Sequence, residues 1–233
     1  VEAVSEDKDN LGHYDWQTDA TTRCYGQFTQ LGTHETQREE EISSLYRETK
    51  MNTDKREEKI VMSRKFARAS AWTFTIPPFA ELIQRYVGEG KNWVDPFAGD
   101  NSPAEYTNDI HPERKAKYHM EAEEFCKMIE GDFDGVLFDP PYSYRQISEH
   151  YKELGKKATA LDTSANFTSR VKRAIAPKIK IGGIAITWGW NSNGFGKVHG
   201  FAPIEYLLVG HGSEHNDTIC IVERKVNEQI KLI

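Results

Sequence analysis

A doubly wound α/β sheet, mostly parallel with one antiparallel strand in a C-terminal hairpin, is predicted by three features of this sequence. From about residue 70, short apolar segments alternate with segments whose apolar residues recur at helical spacing. Gly135-Val136-Leu137-Phe138 is a continuous apolar run, as a strand buried on both faces requires. Residues 204–209 and 218–222 are apolar runs separated by a polar, glycine-bearing stretch with the composition of a hairpin connection.

Residues 1–62 are expected to form a polar arm, partly helical or disordered, and 63–233 the folded domain. The arm is rich in Glu, Asp, Thr, Gln and Lys, with runs such as Arg38-Glu39-Glu40-Glu41, and only Ile42, Leu45 and Tyr46 make a weak helical stripe. Pro77 and Pro78 stand where a first helical turn begins, and Phe79, Leu82, Ile83 and Tyr86 share one face. Gly88 and Gly90 end that helix. Trp93-Val94-Asp95 reads as a strand stopped by Pro96, Tyr106-Thr107 as a second and Tyr118-His119-Met120 as a third. Ala122, Phe125, Cys126 and Ile129 form a helical stripe. Two polar helices follow residue 142, the second turning Phe167, Val171 and Ile175 inward, and residues 181–188 form a buried strand opened by Gly182-Gly183.

In such sheets ligands bind beyond the carboxyl ends of the strands. Asp95-Pro96-Phe97-Ala98-Gly99, Asn108-Asp109 and Asp139-Pro140-Pro141-Tyr142 each directly follow a predicted strand.

Composition narrows the classes. The chain has 233 residues, 38% hydrophobic and 28% charged, which suits one globular domain with an appendage. No apolar run approaches the ~20 residues that span a bilayer, and the acidic N-terminus does not read as a signal peptide. Cys24, Cys126 and Cys220 lie far apart, so neither a zinc site nor a disulfide framework is expected, and a cytoplasmic setting is. The net charge of −6 argues against strong non-specific binding to DNA, although a basic stripe can coexist with an acidic back.

Asp139-Pro140-Pro141-Tyr142 carries the chemistry. By average residue usage such a tetrapeptide arises by chance in roughly one chain in a thousand of this length. The bland alternative is a strand stopped by a proline turn. The functional reading starts from an exocyclic amine whose lone pair is delocalised into its ring. The Asp139 carboxylate can accept one N–H and the Pro140 carbonyl the other, which favours a pyramidal nitrogen and stabilises the developing positive charge. The prolines stiffen the loop, and Tyr142 offers an aromatic face for an extruded base.

These residues resemble the S-adenosylmethionine-dependent amino-methyltransferases, above all the small phage-type adenine-N6 DNA methyltransferases. Asp139-Pro140-Pro141-Tyr142 is similar to their catalytic motif, and Asp95-Pro96-Phe97-Ala98-Gly99 to the loop around their cofactor. Trp72 to Pro77, with Phe74, Thr75 and Ile76, matches the segment beside the methionine moiety. The resemblance further implies that Asn108 and Asp109 meet the cofactor ribose and that Glu121 and Ala122 lie near its adenine. It covers about residues 64–225 and implies a Rossmann-like class I methyltransferase sheet, S-adenosyl-L-methionine as cofactor, DNA as partner and no metal. It departs at Asn101, where the family commonly carries a second glycine; Asn tolerates left-handed backbone better than most residues. It also lacks a target-recognition domain, a task left to the arm, to short loops, or to a homodimer or partner subunit.

RNA adenine, another nucleobase amine, and a non-catalytic subunit that binds nucleic acid or a partner enzyme are the alternatives. Gly194, Gly196 and Gly200 have the wrong spacing for a dinucleotide fingerprint. His211, His215 and Asp217 read as a polar turn rather than metal ligands. Ser143, Tyr144 and Arg145 are either a helix cap with a solvated charge or a phosphate contact.

Overall fold

The computed structural model describes residues 59–155, 166–212 and 215–227. The expected arm lies outside them except for its last residues. Helix α1 (Pro77–Tyr86) opens on the two prolines, with extended Ile76 as its N-cap. Gly88, left-handed at φ 59°, follows its end. The remaining helices are α2 (Ala122–Met128), α3 (Tyr144–Glu153) and α4 (Phe167–Ile175). The strands are β1 (Val61–Phe66), β2 (Trp93–Asp95), β3 (Tyr106–Thr107), β4 (Phe133–Phe138), β5 (Ile179–Gly189), β6 (Phe201–Gly210) and β7 (Thr218–Lys225).

The sheet runs β1-β6-β7-β5-β4-β2-β3, with β7 antiparallel to β5 and β6 and every other pair parallel. This is the expected doubly wound arrangement with its antiparallel hairpin strand. Its parallel strands bring the ends of β2, β3, β4 and β5 to one edge.

Both faces of the sheet are covered at β4, which explains its continuous apolar run. Val136 and Phe138 face one core with α2, α4 and the Ile147 and Tyr151 side of α3. Leu137 faces the other core, where Phe79, Leu82 and Ile83 of α1 meet Ile186, Trp188, Leu207 and Val222. Buried polar groups tie these layers together. Arg85 and the Tyr86 hydroxyl each donate to the buried Glu205 carboxylate on β6 at 2.7 Å. Lys178 donates to the carbonyls of Lys127 (2.9 Å) and Ile129, closing the end of α2.

The structure departs from expectation in three places. Strand β1 was not anticipated, and it spans the expected boundary after residue 62. All six of its residues are exposed, so no apolar alternation marks it; Arg64 and Lys65 charge an open sheet edge. The predicted strand at Tyr118-His119-Met120 reduces to an isolated bridge between Tyr118 and Asn108. Strand β5 begins at Ile179 rather than 181, and its pairing with β4 jumps from Phe133–Ile179 to Gly135–Ile184 around left-handed Gly182.

Cys126 and Cys220 are buried free thiols, while Cys24 lies outside the described residues. Among the described residues no helix is long and apolar enough to cross a membrane.

Gly135 sets the closest internal packing of β4. A Cβ there would stand 2.6 Å from the Ile184 carbonyl oxygen and 2.6 Å from the Trp93 ring. Gly135→Ala is expected to destabilise the fold by about 1–3 kcal/mol, read from urea unfolding.

Candidate active site

The first wall is built by the loop after β2. Asp95 is fully buried, and its Oδ1 accepts the Phe97 N–H at 2.9 Å. Its Oδ2 meets no donor at hydrogen-bonding geometry among the described residues. Burial pushes this carboxyl up to about 7, against the opposing effects of Ser102 nearby and the Phe97 amide. Gly99 is left-handed (φ 54°), and a Cβ on it would stand 3.2 Å from the Trp72 ring, so the position admits glycine on both counts. Asn101 needs no such tolerance, since Asn92 is the single non-glycine with positive φ among the described residues.

Asn108 holds the neighbouring loops in place. Its fully buried carboxamide donates to the Pro96 (3.1 Å) and Met120 (3.0 Å) carbonyls and accepts the Met120 N–H (3.1 Å). Asp109 accepts the Gly99 N–H at 3.0 Å on one oxygen and the His111 N–H at 2.8 Å on the other. Glu121, at the N-cap of α2, accepts the Tyr151 hydroxyl at 2.7 Å.

The segment after β4 is locked by a reciprocal cap on α3. Gln146 Oε1 accepts the N–H of Tyr142 (2.7 Å) and of Ser143 (3.1 Å), while the Gln146 N–H donates to Ser143 Oγ at 3.3 Å. Ser143 is therefore a helix cap, and Arg145 pairs with Glu149 on the exposed side of α3. The Tyr142 hydroxyl donates to Asp139 Oδ1, and its ring meets Trp190 edge-on at 5.5 Å. Burial raises the Asp139 carboxyl to about 6, while the Tyr142 and Thr73 hydroxyls oppose the rise.

Two cavities adjoin here. One of about 380 Å³ is lined by Phe74, Pro96, Phe97, Ala98, Gly99, Asn108, Asp109, Glu121 and Ala122, together with Asp139 to Tyr142. The other, about 460 Å³, is lined by Thr168, Lys172, Thr187, Trp190 and neighbours. Pro140, Pro141 and Tyr142 belong to both, so they form the partition between them. Both volumes fall within the ~300–1,000 Å³ range of ligand pockets.

Most of the sequence-derived candidates thus meet around one cavity, and three do not line it. Asp95 lies beneath its loop as a buried anchor. Ile76 is buried as the cap of α1 and Thr75 is exposed, its hydroxyl bonded to the Trp72 carbonyl at 2.8 Å. The segment's cavity-facing residues are Trp72, Thr73 and Phe74. His111, Arg114, Gln146, Ile147, Tyr151 and Phe167 also line the cavity without having been anticipated as site residues. Ile147 and Tyr151 carry a readable signal, because they follow the Asp-Pro-Pro-Tyr loop at the i, i+4 spacing of one helix face. The Arg114 guanidinium lies 5.0 Å over the Trp72 ring and bonds Asp100 at 3.2 Å, a strap that sequence spacing does not reveal. Among the described residues no cluster suited to a metal ion occurs. In the β6–β7 connection, the His211 ring nitrogens sit 3.0 Å from the Ala67 carbonyl and 3.0 Å from the Thr218 hydroxyl.

No family model matches this sequence, and no curated relative does. Solved structures resemble it in part. TrmN from Thermus thermophilus is 15% identical with a TM-score of 0.45, over 65% of this chain and 49% of that one, so this chain spans about half its length. The putative methyltransferase yhhF from Escherichia coli is 7% identical with a TM-score of 0.43, over 65% and 84%. The 1,6-didemethyltoxoflavin-N1-methyltransferase of Burkholderia thailandensis is 12% identical with a TM-score of 0.35, over 92% and 99%. The doubly wound fold described above rests on this chain's own strand order, not on these likenesses.

A carboxyl whose folded value lies above its unfolded one binds more protons in the native state, so stability falls as pH rises between the two. Asp95, Asp139 and Glu223 act this way above about pH 4, while His199, held below its ordinary value by burial, acts in the opposite sense up to about pH 6.5. Asp100, Glu123 and Asp134, held low by hydrogen-bonding partners, act only below about pH 4. Stability to urea is therefore expected to drop from pH 5 to pH 7, and Asp95→Asn to remove the larger share of that slope.

Proposed function

We propose that this chain is an S-adenosylmethionine-dependent methyltransferase acting on an exocyclic nucleobase amine, with adenine N6 in DNA as its target. One observation carries the reading: Pro140, Pro141 and Tyr142 line both of two ligand-sized cavities and Asp139 lines the smaller one beside them, so groups bound on either side would meet next to these acceptors.

The smaller cavity fits the cofactor. Gly99 leaves room for a group to lie against the loop backbone, and the Nδ1 of His111 is buried without a partner among the described residues. Each Asp109 oxygen takes one N–H and keeps a further lone pair for a ribose hydroxyl. Phe97, Asp109 and Glu121 would hold the nucleoside, and Trp72 and Phe74 the methionine end. When bound, S-adenosylmethionine supplies a methyl group on a sulfonium sulfur.

The chain's residues orient the amine. An ionised Asp139 has acceptor sites beyond those used by Tyr142 and Thr73, and takes one amine hydrogen. The Pro140 carbonyl takes the other. With both hydrogens held, the nitrogen is favoured as pyramidal with its lone pair free to face the methyl group, and the carboxylate opposes the positive charge that grows on nitrogen. Gln146 keeps this loop from relaxing, so little reorganisation accompanies the reaction. Target recognition is assigned to residues 1–62, to short loops or to a second subunit.

Incubation with labelled S-adenosylmethionine and separate DNA and RNA pools, followed by nucleoside analysis, is expected to yield N6-methyldeoxyadenosine; label on no nucleoside would overturn the reading. Asp139→Ala should lower transfer by about a hundred- to a thousand-fold while cofactor affinity, measured by calorimetry, holds within a few-fold. Because the carboxylate is the working form, kcat/KM should fall as pH drops through about 6. Tyr142→Phe removes a hydroxyl that holds the Asp139 carboxyl down, so it should move that acidic limb to higher pH.

A further inference from the structure

The larger cavity carries two buried hydrogen-bond donors that the chemistry above does not use. Lys172 on α4 is 8% exposed, and its Nζ donates to the carbonyls of Asn193 at 3.0 Å and Gly194 at 2.6 Å. It lies 5.3 Å from the Phe138 ring centre and 5.5 Å from that of Phe195. An ammonium has three hydrogens, so these two carbonyls leave one. Thr187 on β5 is 5% exposed, and its Oγ1 makes no hydrogen bond among the described residues. A buried hydroxyl without a partner is destabilising, so the site is incomplete as it stands. Both residues line the cavity whose other side is Pro140, Pro141 and Tyr142. The Trp190 and Tyr142 rings add aromatic surface to the same space.

Lys178 and Lys225 also donate to carbonyls, but neither lines this cavity: Lys178 closes α2, and Lys225 donates to Ala176 (3.1 Å) and Ile179 (2.7 Å) behind α4. Lys172 differs in facing a ligand-sized space beside an unsatisfied hydroxyl.

We propose that this cavity holds the acceptor ring and that Lys172 and Thr187 each donate a hydrogen bond to a different ring nitrogen. The ligand class is a flat heteroaromatic ring with an amine on one edge, directed at Asp139 and Pro140, and two electronegative ring atoms elsewhere. This inference rests on the proposed reaction and names how its substrate is selected.

Single-stranded oligodeoxynucleotides carrying adenine, or its 1-deaza, 3-deaza or 7-deaza analogue, provide the test, with methyl transfer and equilibrium binding measured side by side. The parent should discriminate against two of the analogues by about tenfold or more in KM or Kd, with little change in kcat. Lys172→Met and Thr187→Val should each weaken the adenine substrate and each lose the discrimination against one of the two. Lys172→Met also frees the loop at 193–194; Thr187→Val keeps the side-chain shape and touches no loop contact, so it separates ring recognition from loop support. Thr187→Val that still discriminates against both analogues, or a parent indifferent to every analogue, overturns the inference. A parent that binds and discriminates but transfers no methyl overturns the proposed reaction and leaves the ring site standing. A parent that neither binds nor methylates any of them overturns both.

Discussion

Asn108 is wholly buried, and its carboxamide satisfies the backbone of two separate loops: the Pro96 carbonyl after β2, and both the N–H and carbonyl of Met120 before α2. Its own N–H donates to the Asp95 carbonyl at 2.8 Å, and its carbonyl accepts the Ala98 N–H at 2.9 Å. Without these bonds, buried peptide groups in three connections would lack partners, and each loop would be free to move away from the cavity. Glycine at 99, the carboxylate of Asp109 and the cap at Glu121 derive their positions from this one side chain. A leucine of similar volume would fill the space and keep the two main-chain bonds, but leave the Pro96 carbonyl and both Met120 groups without these partners.

The opposite wall depends on a different device. Strand β4 is buried on both faces, which fixes where it stops, and the cap between Ser143 and Gln146 fixes where α3 starts. The four residues between these two constraints have little freedom, and the prolines remove much of what remains. Tyr142 is then held from three directions, by Gln146 through its N–H, by Asp139 through its hydroxyl and by Trp190 against its ring. A partition only a few residues thick stays rigid because its ends are anchored in separate elements.

Burial of charge at this edge sets the electrostatics. Asp95 and Asp139 are both raised, chiefly by loss of water, and Lys172 is lowered to about 8 for the same reason. Exposed pairs such as Lys127–Glu123 and Arg145–Glu149 lie on helix surfaces and contribute little beyond local support. The acidic formal charge of the chain therefore says little about the field inside the cavities, where a few desolvated groups dominate.

The sequence by itself determined the α/β class, the terminal hairpin and the loops that meet at the sheet edge. Periodicity, proline placement and continuous apolar runs are local signals of burial, and the carboxyl end of a parallel strand is a fixed address once the strand is known. Tertiary structure alone decided the rest. Strand β1 carries no apolar alternation because it pairs through its backbone at an exposed edge, with a partner strand distant in sequence. Thr73 rather than Thr75 meets the Asp139 carboxyl because a tight turn before α1 rotates the segment. Arg114 over Trp72, and Lys172 and Thr187 lining one cavity, are encounters between segments far apart in the chain. Spacing along a sequence constrains neighbours within a turn or two; which remote side chains share a cavity follows from how whole elements pack.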